Sequence, residues 1–499
     1  MIALPTLAQM TTRSDATLRE AMLLIDANAL GACFAVEGSV LVGVLSDGDI
    51  RRALLGGAHL DAPVSDIMTR SYVWLPSNSS LQQIQARLTE EIRLIPILDL
   101  TGNLVDYACP ARYHQIPLAQ PILDGSELEY VTDCIRNGWI SSQGKYVNQF
   151  EQAFGHYVSC PNTLAVSNGT VALHLALLTL GIGAGDEVLV PDLTFAATVN
   201  AVLHAGATPV FIDIDPRTMA LNVAECEQAV TARTRAVIPV HLYGHPADMD
   251  QLMWFCAKHG LTVIEDCAEA IGSFYRSTHV GNYGTAATFS FYGNKTITTG
   301  EGGMLLFKDR SLLERARILR DHGMSRERRY WHEHVGYNYR LTNIQAAIGV
   351  AQMERVAEFV ARKRWIAKQY QQRLQGIKGL RLPCELGEVQ NSYWLYTIVL
   401  TEEMAGQRSK VLEFMSMTGI EARPVFIPLH RMPPYTKYVE LGKVFPNSDA
   451  VSDGGISLPT APNLMESEIE LVCSALVKAL ASTSVGIGLS KQTFDLERQ

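Results

Sequence analysis

Three short stretches of this 499-residue chain carry residue types that could do chemistry together. The first is Ser290-Phe291-Tyr292-Gly293-Asn294-Lys295-Thr296-Ile297-Thr298-Thr299-Gly300-Glu301-Gly302-Gly303. A lone lysine is as a rule a solvated surface charge. Lys295, however, lies between strand-like Ala287-Thr288-Phe289 and apolar Met304-Leu305-Leu306-Phe307, in a glycine-rich loop where backbone can approach a ligand closely. An amine held there can lose its proton and condense with an aldehyde. The second stretch, Ser167-Asn168-Gly169-Thr170, opens an apolar helix predicted over 171–180. The free N–H groups and dipole of a helix start suit a phosphate, and an ordinary N-cap is the plainer alternative. The third is Asp266 in Glu265-Asp266-Cys267-Ala268-Glu269-Ala270-Ile271-Gly272, closing an apolar strand. Open α/β sheets place ligand contacts at such strand ends, although a helix cap would look the same. A phosphate cradle, an acid and a lysine in a glycine-rich loop are together what pyridoxal phosphate (PLP) requires: the helix start takes the phosphate, the acid keeps the ring nitrogen protonated, and the lysine holds the aldehyde.

The elements that must position these groups alternate along the chain. Strand-like runs at Glu187-Val188-Leu189-Val190, Pro209-Val210-Phe211-Ile212, Ala236-Val237-Ile238-Pro239-Val240 and Thr262-Val263-Ile264-Glu265 are separated by helical stretches. This pattern predicts βαβ units and a mostly parallel sheet covered on both faces. Around residues 114–121, from His114 to Pro121, two prolines break every period and predict a linker; a large α/β domain follows over 122–481, and 482–499 reads as a loose tail.

Composition narrows the function. A formal charge of −9 without Lys/Arg clusters gains no counterion release on a phosphate backbone, so nucleic acid is not the expected partner. Nine scattered cysteines, none in a CxxC pair, argue against a disulfide framework or a zinc ribbon, suggest no metal site, and fit a reducing cytoplasm. Met1-Ile2-Ala3-Leu4-Pro5 has no basic n-region, and the apolar run 171–183 is short and contains His174 and Thr179, so neither a signal peptide nor a membrane span is predicted.

The first 113 residues repeat an order of elements. Met10-Thr11-Thr12-Arg13 leads into helical Leu18, Ala21, Met22 and Ile25, then strand-like Cys33-Phe34-Ala35-Val36 and Val40 to Leu45. Met68-Thr69-Arg70 leads into Leu81, Ile84 and Leu88, then Ile95-Pro96-Ile97-Leu98 and Leu104-Val105. The region resembles a CBS pair, an α+β regulatory module whose relatives hold an adenosyl nucleotide. That resemblance assigns the ribose to Ser46 and Asp49 in Ser46-Asp47-Gly48-Asp49, while Asp106-Tyr107-Ala108-Cys109 lacks the pattern. Alternatively Asp49 caps a helix starting near Ile50-Arg51-Arg52.

From Pro117 onward the chain resembles the DegT/DnrJ/EryC1/StrS sugar aminotransferases, of PLP fold type I. The motifs are Trp139-Ile140-Ser141-Ser142-Gln143-Gly144-Lys145-Tyr146, the run 167–178, Pro239-Val240-His241-Leu242-Tyr243-Gly244, the run 265–272, the lysine loop, and Gly336-Tyr337-Asn338-Tyr339-Arg340-Leu341-Thr342-Asn343. The resemblance implies a three-layer domain with a smaller C-terminal α+β part, and a homodimer or higher homo-oligomer. It implies Lys295 as the catalytic lysine, Asp266 on the ring nitrogen and Glu269 on the phenolic oxygen. It places Phe195 on the ring face, Gly169, Thr170 and Ser290 on the phosphate, and Asn338 on the phosphate of the neighbouring subunit. Trp139, Ser141, Lys145, Arg423 and His430 are implied on the substrate side. The implied reaction moves an amino group from L-glutamate to C4 of a nucleotide-linked 4-keto-6-deoxy sugar for a surface glycan such as O-antigen. The motifs are most like those of perosamine-forming members, which favours GDP-4-keto-6-deoxymannose over a UDP-linked sugar. Three rivals come from other classes, one of them a nucleotide sensor with a degraded catalytic part, against which every matched cofactor-facing position is intact. Dehydratases on this fold replace the lysine by His, and Lys295 is present. A dinucleotide oxidoreductase would need a glycine fingerprint, and Gly181-Ile182-Gly183-Ala184-Gly185-Asp186 ends in Asp and follows no strand.

Overall fold

A computed structural model describes residues 4–89, 92–110, 112–113 and 116–484. His114 and Gln115 of the expected linker, and the expected tail beyond Ser484, lie outside the described residues.

The chain divides into two compact units. The first takes the residues up to Pro117 together with Ser409–Ala422 and Ala481–Thr483. Its two repeats share one topology. Thr11–Arg13 pairs parallel with Ala32–Glu37, which pairs antiparallel with Val40–Ser46; Leu75–Pro76, Ile95–Leu98 and Leu104–Ala108 do the same. Each hairpin has its register shift near the turn, at Ala35/Val36 and at Ile97/Leu98. The hairpins share a core of Phe34, Leu41, Leu98, Leu104 and Tyr107, so neither repeat buries its apolar face alone. A helix was expected to start near Ile50 behind an Asp49 cap. It runs instead over Asp47–Leu55: Ser46 is the cap, and Asp49, the third helical residue, reciprocates. Ser46 Oγ accepts from Asp49 N–H at 3.2 Å while Asp49 Oδ2 accepts from Ser46 N–H at 2.9 Å, a capping box that satisfies a donor on each side. That segment Ser409–Ala422 groups with this unit was not legible beforehand. Its link is a backbone ladder in which Ile116 N–H donates to Gly419 O and Glu421 N–H to Ile116 O.

The second unit is built on seven strands: β1 Thr163–Val166, β2 Glu187–Pro191, β3 Thr208–Ile212, β4 Thr234–Val237, β5 Thr262–Asp266, β6 Ala286–Ser290 and β7 Gly303–Phe307. They lie in the order β1-β7-β6-β5-β4-β2-β3, with β7 alone antiparallel to its neighbours. Strand alternation splits the core. Leu164, Val166, Leu305 and Phe307 face one helical layer, while Ala165, Met304 and Leu306 face the other, giving the expected three layers. Helix α1, Gly169–Thr179, is apolar all round and packs inside the first layer. β4 stops at Val237, short of the expected Val240, because Pro239 has no N–H to give to a ladder. The chain resumes pairing at Val240, and Asp266 N–H donates to Pro239 O. A four-stranded antiparallel sheet of Leu380–Arg381, Tyr396–Leu400, Gly455–Leu458 and Arg423–Pro424 forms the smaller part, and Lys363, Tyr370 and Leu374 of α2, Val356–Leu374, are buried. The last helix, Glu466–Ser484, runs three residues into the region expected to be a tail. No helix among the described residues is long and apolar enough to cross a membrane.

Candidate active site

The site lies where the parallel strands end. Register aligns Val166 of β1, Gly303 of β7 and Ser290 of β6 in one row. A Cβ on Gly303 would meet the Asn168 carbonyl carbon at 2.6 Å, and one on Gly169 would meet Ser290 Cβ at 2.9 Å. Two glycines thus bring the strand ends and the start of α1 together into a cradle that side chains would fill. The Asn168 side chain caps the Val171 N–H at 3.0 Å, and the amides of Gly169 and Thr170 precede it at the helix start. The cap therefore takes the Val171 amide, and the Gly169 and Thr170 amides at the same helix end are of the kind that can hold an anion.

Asp266, at the end of β5, is 4% exposed. Its Oδ2 accepts from the Thr198 hydroxyl at 2.8 Å and its Oδ1 from Ala268 N–H at 3.1 Å. Burial raises its pKa; these two bonds and the nearby Lys295 charge oppose the rise. The neighbouring Glu265 fixes the same strand end. Its carboxylate accepts from the amides of Gly281, Tyr283 and Gly284 and from His241 Nε2, whose Nδ1 accepts from Ala247 N–H. Burial alone would raise the Glu265 pKa, but these donors prevail and hold it below the ordinary range. Glu269, three residues beyond Asp266, accepts from Tyr243 N–H at 2.9 Å on one oxygen and from Lys295 Nζ at 3.2 Å on the other. Burial pushes its carboxyl pKa up despite the lysine.

Asp266, Glu269 and Lys295 line one cavity of about 1080 Å³, which also holds Gly169, Thr170, Phe195, Ser290 and Arg423. The set fits PLP: an amide cradle for a phosphate, a buried carboxylate for a cationic ring nitrogen, a second carboxyl beside it, and an amine. Phe195 is 59% exposed and free to cover a ring, and its other neighbour is Phe426 at 5.8 Å. Sequence reasoning missed Thr198, which holds Asp266, and Trp394, whose ring centroid lies 3.7 Å from Lys295 Nζ. It also missed Asn343, which ties down the segment 139–146 by accepting from Tyr146 N–H and donating to Trp139 O. Asn343 closes its motif, and the motif alone implies no role for it. The only available signal was a polar residue in an apolar helix opening.

Other expected contacts are not brought to this cavity. Asn338 is exposed, between Tyr337 and Tyr339, which stack at 4.8 Å and line the cavity; alternation of an extended segment turns Asn338 the other way. Trp139 and Ser141 are exposed outside it, and Lys145 pairs with Asp133 at 2.8 Å. His430 also stays outside. Its Nδ1 lies 2.7 Å from the buried Asp192 carboxylate and its ring stacks on Phe445 at 4.7 Å, so its polar edge is already committed.

A model of the DegT/DnrJ/EryC1/StrS aminotransferase family matches residues 121–477, and a CBS domain model matches residues 8–56 and 64–107. Among known proteins, the GDP-perosamine synthase of Caulobacter vibrioides is 46% identical over 368 residues, covering 73% of this chain and 98% of the relative. The GDP-perosamine synthase of Escherichia coli O157:H7 is 44% identical over 361 residues, covering 72% and 97%. Among solved structures, the aminotransferase TlmJ from Streptoalloteichus hindustanus superposes with a TM-score of 0.70 at 31% identity, covering 74% of this chain and all of that one. DesV of S. venezuelae, solved with a ketimine intermediate, gives 0.67 at 33% identity, covering 71% and 94%.

Proposed function

Since the chain belongs to the DegT/DnrJ/EryC1/StrS aminotransferase family and is thereby a PLP-dependent sugar aminotransferase, we propose that it transfers the amino group of L-glutamate to C4 of GDP-4-keto-6-deoxymannose, giving GDP-perosamine for a surface glycan. The observation that carries the sugar is the identity of 42–46% to three GDP-perosamine synthases over 97–98% of their lengths.

Bound PLP supplies an aldehyde and an electron-withdrawing ring that stabilises charge beside the migrating nitrogen. The amides of Gly169 and Thr170 and the Ser290 hydroxyl bind its phosphate, with no net charge of their own beyond the helix dipole. Asp266, oriented by Thr198 and Ala268, would pair with the ring nitrogen and keep a proton on it. Glu269, with its proton affinity raised by burial, keeps a proton to donate to the phenolic oxygen. Lys295 Nζ, 3.2 Å from Glu269, is the amine that would hold the proton to be passed to C4 of the sugar. Phe195 excludes water from one face of the ring. The outward-facing Asn338 supports a phosphate contact made in a second copy of the chain, so that the active unit is at least a homodimer. In the front module, Ser46 and Asp49 line a cleft of about 1370 Å³ and are proposed to take the ribose of a nucleotide; Asp49 is also paired with Arg52 at 2.5 Å, which a ligand has to displace.

The reverse half-reaction tests the substrate. Yellow enzyme is mixed with GDP-perosamine and, separately, with UDP-linked 4-amino-6-deoxy sugars, and the cofactor absorbance is followed. Conversion by the GDP sugar alone is expected. Conversion only by a UDP sugar would overturn the GDP assignment and keep the reaction.

A further inference from the structure

Among the described residues the Lys295 amine has two side chains in direct contact, and only one of them is an acid. Glu269 Oε1 stands at 3.2 Å on one side, and on the other the ring of Trp394 lies with its centroid 3.7 Å from Nζ, well inside the distance at which an ammonium is attracted to an indole face. Trp394 is 5% exposed and is fixed in three ways. Its Nε1–H donates to the carbonyl of Asn294, the residue before the lysine, at 2.8 Å. Its ring stacks on Tyr243 at 6.1 Å with an interplanar angle of 7°, and Tyr243 is the residue whose amide holds Glu269. Its carbonyl accepts from Lys363 Nζ at 3.1 Å.

Lys363 is itself notable as a lysine 2% exposed whose amine donates to two carbonyls, those of Trp394 and Thr460 at 2.8 Å. Burial pulls its pKa down to about 7. An amine taken out of water without an acid is costly, and here the cost is met at the backbone of the residue that covers Lys295. The segment is held against its own preference as well. Tyr393 has φ +50°, in the left-handed region, stabilised by its N–H donating to Asn391 Oδ1 at 2.7 Å.

During transamination a lysine leaves the cofactor and must return to the same atom in each turnover, and a four-carbon side chain left loose would lose the orientation on which proton transfer depends. We propose that Trp394, anchored by Lys363, is a positioning residue that holds the Lys295 amine at the cavity whenever that amine is not bonded to the cofactor. The proposal rests on the aminotransferase reading for its meaning in the cycle and on the geometry alone for the placement of the amine.

The test is a pair of readouts on full-length wild type, W394F, W394L and K363M, each saturated with pyridoxamine phosphate so that Lys295 is free. In the first, limiting acetic anhydride labels amines and mass spectrometry reads each lysine. Lys295 is expected to react up to about thirtyfold faster in W394L, the factor a desolvated cation–ring contact is worth, with W394F between it and wild type. K363M is expected to raise the same site, and Lys258 and Lys308 are expected to stay unchanged in all. In the second, 2-oxoglutarate returns the protein to its yellow form, and this return is expected to slow in the same order while affinity for pyridoxamine phosphate is kept. Equal Lys295 labelling in wild type and W394L overturns the proposal, and so does a rise shared by every lysine, which would mark general loosening. Should W394L fail to fold, W394F and K363M decide by the same criterion. A wild type that takes up neither form of the cofactor overturns the proposed function instead, and labelling of the cofactor-free chain then decides the placement of Lys295.

Discussion

Lys295 has a carboxylate on one side and an indole on the other, so its removal should take away an amine without disturbing the cavity walls. Lys295→Ala is expected to give a folded protein that still binds the cofactor through its proposed phosphate cradle but to which borohydride no longer fixes it, with turnover lower by about a hundred- to ten-thousandfold, the usual worth of a positioned acid–base group. Cofactor absorbance after borohydride treatment and dialysis, read beside a melting curve, checks this. Glu269 gives a sharper test because its proposed role depends on a proton. Burial raises its pKa, so the carboxyl stays protonated to higher pH than an ordinary glutamate and loses the proton, and with it the hydrogen bond to the phenolic oxygen, as pH rises through that raised value. Activity should therefore fall on the alkaline side. Glu269→Gln carries a permanent donor and should flatten that limb while keeping activity near neutrality, which a pH–rate profile of both proteins will show.

At the scale of elements, two helix starts do different work with the same groups. At α1 the close approach of Gly169 to Ser290 makes the proposed phosphate cradle. Gly169→Ala must push that pair apart, since its Cβ would stand 2.9 Å from Ser290 Cβ, and PLP affinity is expected to fall about tenfold or more at nearly unchanged stability, measured by equilibrium dialysis and thermal melting. At Asp47–Leu55 the start is closed by the Ser46–Asp49 box, and Ser46→Ala is expected to cost about 1 kcal/mol of local stability. Because Arg52 also holds Asp49, Arg52→Ala should tighten nucleotide binding in the cleft, and Asp49→Ala should abolish it. Calorimetric titration of the full chain with adenine and guanine nucleotides checks both, and no heat from wild type or Arg52→Ala removes the nucleotide reading.

For the whole molecule the open question is which copy of the chain each Asn338 serves. Alternation through stacked Tyr337 and Tyr339 turns it away from its own cavity, so the proposed phosphate contact requires a second copy. Co-expressed Lys295→Ala and Asn338→Ala chains are then expected to form mixed dimers with one intact site, made from the lysine of one chain and the asparagine of the other. Isolated mixed dimers should recover about half of wild-type activity, since two sites reduce to one, although each parent dimer is nearly inactive. Inactive mixed dimers would show that Asn338 acts within its own chain.

The sequence by itself determined the layered architecture and the local chemistry, because both are written in short-range patterns. Apolar runs alternating with helical periods made the parallel sheet legible, two repeats of the same element order made the front module legible, and the lysine loop, the helix start at Gly169 and the acid at Asp266 each occupy a few consecutive residues. Only the tertiary structure decided what stands around those groups. Trp394 and Thr198 reach Lys295 and Asp266 from 99 and 68 residues away in number, and no spacing announces such a contact. The same holds for Lys363, which by type belongs in water and by position is buried against two carbonyls. His430 shows the opposite case: its motif implies a place near the sugar, while in the fold its ring meets the Asp192 carboxylate, buried just beyond β2. Side-chain partners are chosen by packing after the chain has closed, and packing is a property of the whole fold and not of any segment.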